Sequence, residues 1–362
     1  MNLQESIQAW RTHAAIHADK GVVLPDVKAY LPAEFKRNFA LAMDAQPALS
    51  TDPNSAIPAY LSMYIDPAVF EILFAPNMAG DIFGEVKKGD WLTDTAAFPI
   101  IEHTGEVSSY GDYNNNGSAG ANAGWPQYQS YLFQTIKEYG ERELERMGLG
   151  RINYVSEIDA AAATVLNKFS NLTYFFGVAG LQNYGLVNDP ALSAALTPAT
   201  KSYGGTKWIN NGVIVATANE IYLDIESLYI QLVTQAPGLI DQKTKMTLAL
   251  GTVAATALTA TNSFNVNVSD LLKKNFPNLE VKTAVQYNQQ STANPQGVVA
   301  GNEVQLIVDS IEGQDVGYCA FNEKMRAHTI VKELSAFKQK LTAGTWGAII
   351  RMPMGISSMV GV

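Results

Sequence analysis

Charge is the scarcest feature of this sequence. Only 16% of its 362 residues are Asp, Glu, Lys or Arg, against about a quarter in ordinary soluble domains. A chain so sparsely charged must hide much of its surface, and extensive contact between subunits is one way to do so. Cysteine is almost absent. The single Cys319 excludes an intramolecular disulfide, and its apolar setting, VGYCAF, predicts a small buried hydrophobe. No uninterrupted apolar run approaches the ~20 residues of a membrane span, and no basic segment followed by an apolar one marks a signal peptide at the N-terminus. The expected site of synthesis is a reducing cytoplasm. The net charge of -9 speaks against a dedicated nucleic-acid binder, whose affinity comes from basic contacts to phosphate.

The balance of charge is uneven. From Phe321 onward stand six basic residues (Lys324, Arg326, Lys332, Lys338, Lys340, Arg351) and two acidic ones (Glu323, Glu333), so this tail is +4 and the remainder -13. Two readings apply: a solvated face with salt bridges between subunits, or a surface turned weakly toward DNA.

Catalytic signatures are missing as well. His13 and His17 lie one helical turn apart, but no H-E-x-x-H arrangement follows, so a solvated helix face competes with a metal site. His103 beside Glu102 reads as a surface pair. Cys319 and His328 would need the fold to bring them together, and no family signature surrounds either. Glu220 reads as a helix cap and Asp224 as an exposed partner one turn on. The glycine-rich run Asn114 to Gly124 lacks the Gly-Lys-Ser/Thr ending of a P-loop. No catalytic residue, cofactor or metal ligand is assigned, which points to assembly as the function.

What the chain does have is a rod. Ile152, Val155, Ile158, Ala162, Val165, Leu166, Phe169 and Leu172 recur at three- and four-residue steps and predict one long helix. Asn153 or Ser156 can cap its start, with Asp159 completing a capping box, and Gly177 ends it. Upstream, residues 1–20 suggest a short amphipathic helix with Leu3, Ile7 and Trp10 on one stripe. Residues 21–58 carry five prolines and read either as an extended arm or as a disordered terminus. Residues 59–84 are apolar and packed. Residues 85–137 read as a long two-stranded excursion with a Gly- and Asn-rich tip. Such a hairpin is marginal in water unless it lies against a partner. A short charged helix, Glu138 to Leu149, leads into the rod. Beyond Pro190, Thr217 and Glu220 form a capping box for a helix ending at Pro237-Gly238. Ser269 is a candidate cap for 270–275. Strands are expected at 245–251, 279–285, 303–310 and 316–321, and at 345–359 with Pro353 at an edge or bulge. The lack of regular alternation predicts an α+β fold.

Three runs in this plan, EYGERELERMG, NLTYFFG and GLQNYGLVN, all between Glu138 and Pro190, resemble the HK97-fold shell proteins: the major capsid proteins of tailed phages and the related encapsulin shells. The closing run TWGAIIRMPMGI resembles the strand that returns beside that family's spine helix. The resemblance implies an HK97-like capsid fold with an N-terminal arm (1–60), an E-loop hairpin (85–137) and a spine helix (about 152–176). The spine belongs to a peripheral domain (61–84, 138–190, 336–362), and an axial domain follows (191–335). It further implies hexamers and pentamers of an icosahedral shell, in a virion assembled in the bacterial host cytoplasm. Packaged double-stranded DNA would be held non-specifically. A separate scaffolding protein, a portal and a decoration protein are the other implied partners. An encapsulin-like compartment is the alternative, and the 60-residue arm favours the phage reading. The family's Lys–Asn crosslink is not carried over, because no matching motif surrounds Lys87 or Lys88. As assembly residues we take Trp10, Trp91, Tyr110, Tyr113, Trp125 and Tyr128, with Gly177 at the rod's end.

Overall fold

The computed structural model describes residues 76–149, 153–292 and 294–362. The arm, with Trp10, His13 and His17, lies outside them. Along the chain run α1 (Ala79–Phe83), β1 (Glu85–Lys87), β2 (Thr95–Ala97), β3 (Ile100–Glu106), β4 (Ser118–Gly124), β5 (Gln127–Gln129) and β6 (Tyr131–Gly140). Then come α2 (Glu141–Leu149), α3 (Tyr154–Phe176), α4 (Ala218–Gln235), β7 (Met246–Leu250), α5 (Val268–Asn275), β8 (Leu279–Thr283) and β9 (Glu303–Val308). The chain closes with β10 (Gly317–Ala327), β11 (Val331–Glu333), β12 (Ala336–Ile350) and β13 (Ile356–Val360).

Two sheets carry the molecule. The first has the order β1-β10-β12-β11, with β6 paired to the opposite edge of β12. The second has the order β8-β7-β9-β13. Segment 317–327, which the sequence reading groups with 191–335, therefore lies in the same sheet as 131–140 and 336–350.

The rod α3 has 23 residues and is about 35 Å long at 1.5 Å per residue. It lies on the first sheet through Ala162 and Leu166, which bury against Leu341 and Ala343 of β12 and Phe133 of β6. Adjacent residues on a helix point about 100° apart, so Val165 and Leu166 cannot share that contact, and Val165 is 56% exposed. Phe169 is taken up by β6, its ring 4.6 Å from Phe133 and 5.9 Å from Tyr131. The expected capping box does not form. Asn153 occupies the N-cap without a side-chain bond, Ser156 is inside the helix, and Asp159 pairs instead with buried Lys137 of β6.

Residues 345–359, expected as one strand, are two. β12 ends at Ile350, a turn of 3-10 helix spans Pro353–Gly355, and β13 begins at Ile356 in the other sheet. Pro353, which has no N–H to give a ladder, sits at the crossing. Likewise α5 is capped by Asn267, whose side chain accepts from the Asp270 N–H at 2.7 Å, and not by Ser269.

The second sheet is covered by α4. Its capping box is formed as expected: Thr217 accepts from the Glu220 N–H, and Glu220 accepts from the Thr217 N–H at 2.8 Å. Ile221, Ile225, Leu228 and Leu232 are fully buried. Asp224, expected to be exposed, is buried. It pairs with buried Lys201 and accepts from Trp208 Nε1 at 2.7 Å. Its place on the inward stripe was hidden because its partners lie 16 and 23 residues away. Lys201→Met should destabilise the protein by about 3–5 kcal/mol in urea unfolding, since it leaves a buried carboxylate without its cation. A change under 1 kcal/mol would show that the pair is not a structural anchor.

Glu303 opens β9 and is 3% exposed. Burial pushes its carboxyl up to about 8, opposed by a hydrogen bond from Gln305 Nε2 at 3.0 Å. The proton is thus held more tightly in the folded state. Stability contributed by this group is present below the ordinary carboxylate range and is lost as pH rises toward about 8. Unfolding midpoints measured between pH 5 and 8 should fall for the wild type, and Glu303→Gln should remove that part of the slope.

Candidate assembly surfaces

The end of the rod is a junction of three elements. The Gly177 N–H donates to Thr173 O at 2.7 Å and closes the helix, with φ +64° and ψ -161°. Only glycine takes that conformation readily. The chain then doubles back. Leu186 N–H donates to Tyr174 O at 2.8 Å, and Val187 N–H donates to Phe175 O at 3.1 Å. Asn188 Nδ2 donates to Phe176 O at 2.7 Å. These bonds answer the carbonyls that a helix end leaves unpaired. Gly185 lies flat on the last helical turn, where a Cβ would overlap the Phe175 carbonyl.

Asn183 ties this turn to two other elements. Its Nδ2 donates to Gln129 O and to Thr345 O, each at 3.1 Å. The Ala348 N–H donates to Tyr184 O at 2.9 Å. Gly347, at φ +74°, leaves room for that carbonyl. Sequence reasoning found Gly177 and a tight turn through Gly180 and Gly185, but not the roles of Asn183 and Gly347, which depend on residues more than 150 positions away.

From this junction projects the ribbon. Its root is β2 paired with β5, resting on an aromatic cluster of Phe98, Tyr128, Tyr184, Tyr318 and Trp346. Tyr128 stands edge-on to Phe98 at 5.5 Å and to Tyr184 at 6.4 Å. Trp346 is fully buried and donates from Nε1 to Lys88 O at 2.9 Å. Buried Asn322 donates from Nδ2 to Ser130 Oγ at 2.8 Å and to Thr93 O at 3.2 Å, holding both strands at the base.

Beyond the root, β3 and β4 pair over seven residues each, and every one of those residues is exposed on both faces. The two paired stretches keep one register, Ala97 opposite Gln127 and Ile100 opposite Gly124. Between them the ladder is interrupted at Pro99 and Pro126, neither of which has an N–H. A single bond, Phe98 N–H to Pro126 O at 3.0 Å, spans the gap.

The structure separates the aromatic residues singled out in the sequence. Tyr110 (93% exposed), Tyr113 and Trp125 are exposed on the ribbon, with Val107, Ile100 and Ile101. Tyr128 is buried in its own subunit. Trp91 packs within the chain, its ring 5.3 Å from the Arg326 guanidinium and 5.9 Å from His328. Cys319 is buried, its Sγ donating to Ala79 O at 3.8 Å, and burial pushes its thiol well above the ordinary range. His328 bonds Thr342 Oγ1 at 3.0 Å, so the two do not meet as a nucleophile and base. The basic tail is answered mostly within the chain. Lys324 pairs with Glu85, Lys332 with Glu141, and Lys338 with Glu333 and Glu138. Among the described residues no cluster of three metal-ligating side chains occurs, and no helix is long and apolar enough to cross a membrane.

A long helix laid on a mixed sheet, a bare ribbon rooted beside its end and a second sheet joined by β12 and β13 define a capsid shell protein of the HK97-like class. The comparisons agree. The capsid of the myovirus phage XM1 superposes with a TM-score of 0.66 at 13% identity, over 84% of this chain and 99% of that one. The Gordonia phage Cozz structure gives 0.56 at 10% identity, over 94% and 98%. The capsid of a native GTA particle gives 0.56 at 8%, over 86% and 100%. The Pa193 gp26 major capsid protein family model matches residues 48–361, and the chain belongs to that family. No curated protein matches it in sequence. It is a structural protein of the phage capsid, not an enzyme.

Proposed function

We propose that the chain forms the hexamers and pentamers of an icosahedral shell that encloses double-stranded DNA without reading its sequence. The observation that carries this is the ribbon 100–124, rooted firmly and bare on both faces. A two-stranded ribbon gains little alone in water. Laid over a neighbouring copy it buries Ile100, Ile101, Tyr110, Tyr113 and Trp125, at about 25 cal/mol for each Å² of apolar surface removed from water. Repeated in every copy, modest contacts suffice to close a shell.

In this reading the peripheral domain is the five-stranded sheet with α3, and the axial domain is the four-stranded sheet with α4 and α5. On sheet membership, 317–335 joins the peripheral part and 356–360 the axial part. A separate scaffolding protein and a portal guide assembly in the host cytoplasm, and a decoration protein can add to the outer surface. The DNA is a non-specific cargo of a chain with net charge -9. The test is electron microscopy of the purified protein together with nuclease treatment of phage particles. Closed polyhedral shells holding nuclease-protected DNA are expected. Shells loaded with an enzyme and free of DNA would place the chain with the encapsulins, and a small monodisperse species would refute the proposal.

A further inference from the structure

Four described residues other than glycine have positive φ: Asn211, Asn265, Glu312 and Leu334. Asparagine tolerates that conformation through local hydrogen bonding. Leu334 is the one apolar side chain among them, at φ +42°, and it is 100% exposed. An apolar residue there is unfavourable twice over, in its backbone and in its hydration.

The surroundings of Leu334 are built, not loose. It forms the two-residue turn Leu334-Ser335 between β11 and β12, where Glu333 is paired with Ala336. Ser335 O accepts from the Glu141 N–H at 2.9 Å, fixing the tip to the start of α2. Phe337 stacks on Tyr139 at 5.5 Å, and the Lys332 ammonium lies 5.4 Å over Phe337. Lys332 reaches Glu141 at 2.7 Å. A rigid hairpin thus holds one aliphatic side chain out in water, with Ile330 and Val331 half exposed behind it. Strained positions persist where the structure around them forces them, and they concentrate at functional contacts.

We propose that Leu334 is an assembly contact that inserts into an apolar recess of a second copy of this chain. The proposal rests on the shell function above, which supplies copies of the chain as the occupant. It is independent of the ribbon, which leaves the subunit from the 95–129 root.

The proposal predicts effects of opposite sign from one substitution. Leu334→Asn relieves the backbone and should leave the thermal midpoint of unassembled full-length protomers unchanged or about 2 °C higher. The same change should raise the concentration needed for shell assembly roughly tenfold, because an apolar contact is lost at every copy. Leu334→Gly, which has no backbone penalty at positive φ, should do the same, and Leu334→Met should keep assembly near wild type. A photo-crosslinking amino acid at 334 should join two chains in shells and none in dissociated protomers. Wild-type shells with assembly of Leu334→Asn and Leu334→Gly unchanged would overturn this contact alone, as would a crosslink to anything but a second copy. Wild-type protein that forms no shell would overturn the proposed function and this contact with it.

Discussion

Gly177→Val is expected to abolish particles and to destabilise the subunit severely. At φ +64° and ψ -161° the backbone is in a region that residues with a Cβ avoid, at a penalty of about 1–3 kcal/mol. A Cβ would also overlap Asn183 O and lie 2.8 Å from Tyr184 Cα. Overpacking of that kind adds about 1–3 kcal/mol. The sum is a large part of a typical stability of about 5–15 kcal/mol. The damage would spread, because Asn183 and Tyr184 hold the ribbon root and β12 as well as the helix end. Gly180→Ala is the control. Its φ is +85°, but no atom lies within 4 Å of the added Cβ, so only the backbone penalty applies and particles should form. Sedimentation of expressed protein and urea unfolding measure both. Wild-type particle yield from Gly177→Val would refute the role given to the junction.

Excising the ribbon should separate assembly from folding. Phe98 and Pro126 already face each other across a hydrogen bond, so residues 99–125 can be replaced by Asn-Gly together with Pro126→Thr, which gives position 126 the N–H that closes a tight hairpin. Phe98, Tyr128 and the rest of the aromatic cluster stay. The residues removed have no buried side chains among β3 and β4, so the thermal midpoint should move by only a few degrees, about 1 kcal/mol or less by the usual scaling. Assembly should fail completely, as judged by sedimentation at concentrations where wild-type shells form. Shells of normal size from the shortened chain would remove the ribbon from the account of assembly. A collapse of stability would mean that it supports its own subunit.

Features of short range are legible in the sequence. The rod was visible in its three- and four-residue steps, and α4 in its capping box and apolar stripe. The ribbon shows itself by the contrast between apolar strands and a Gly- and Asn-rich tip that is nearly free of charge, Asp112 being its one charged residue. Long-range features were not. Whether Asp224 faces water or Lys201 depends on how 199–208 folds over α4. The division of 345–359 between two sheets depends on which neighbours each half finds, and Pro353 hinted at a bulge but not at a change of sheet. Tyr128 and Trp91 read as aromatics of the excursion, yet contacts to Tyr184, Trp346, Arg326 and His328 turn them inward. The basic tail told its net charge but not that Glu85, Glu138 and Glu141 would come to meet it.

The interruption at Pro99 and Pro126 has a mechanical consequence. Pairing above and below it belongs to one register, so flexing there changes the direction of the outer ribbon while every residue keeps its cross-strand neighbour. Resistance to that flexing comes from a single backbone hydrogen bond, whereas the base is clamped by buried rings. Identical chains can therefore aim the same lever along different bearings, which a closed surface tiled by both five- and six-membered rings requires of its tiles.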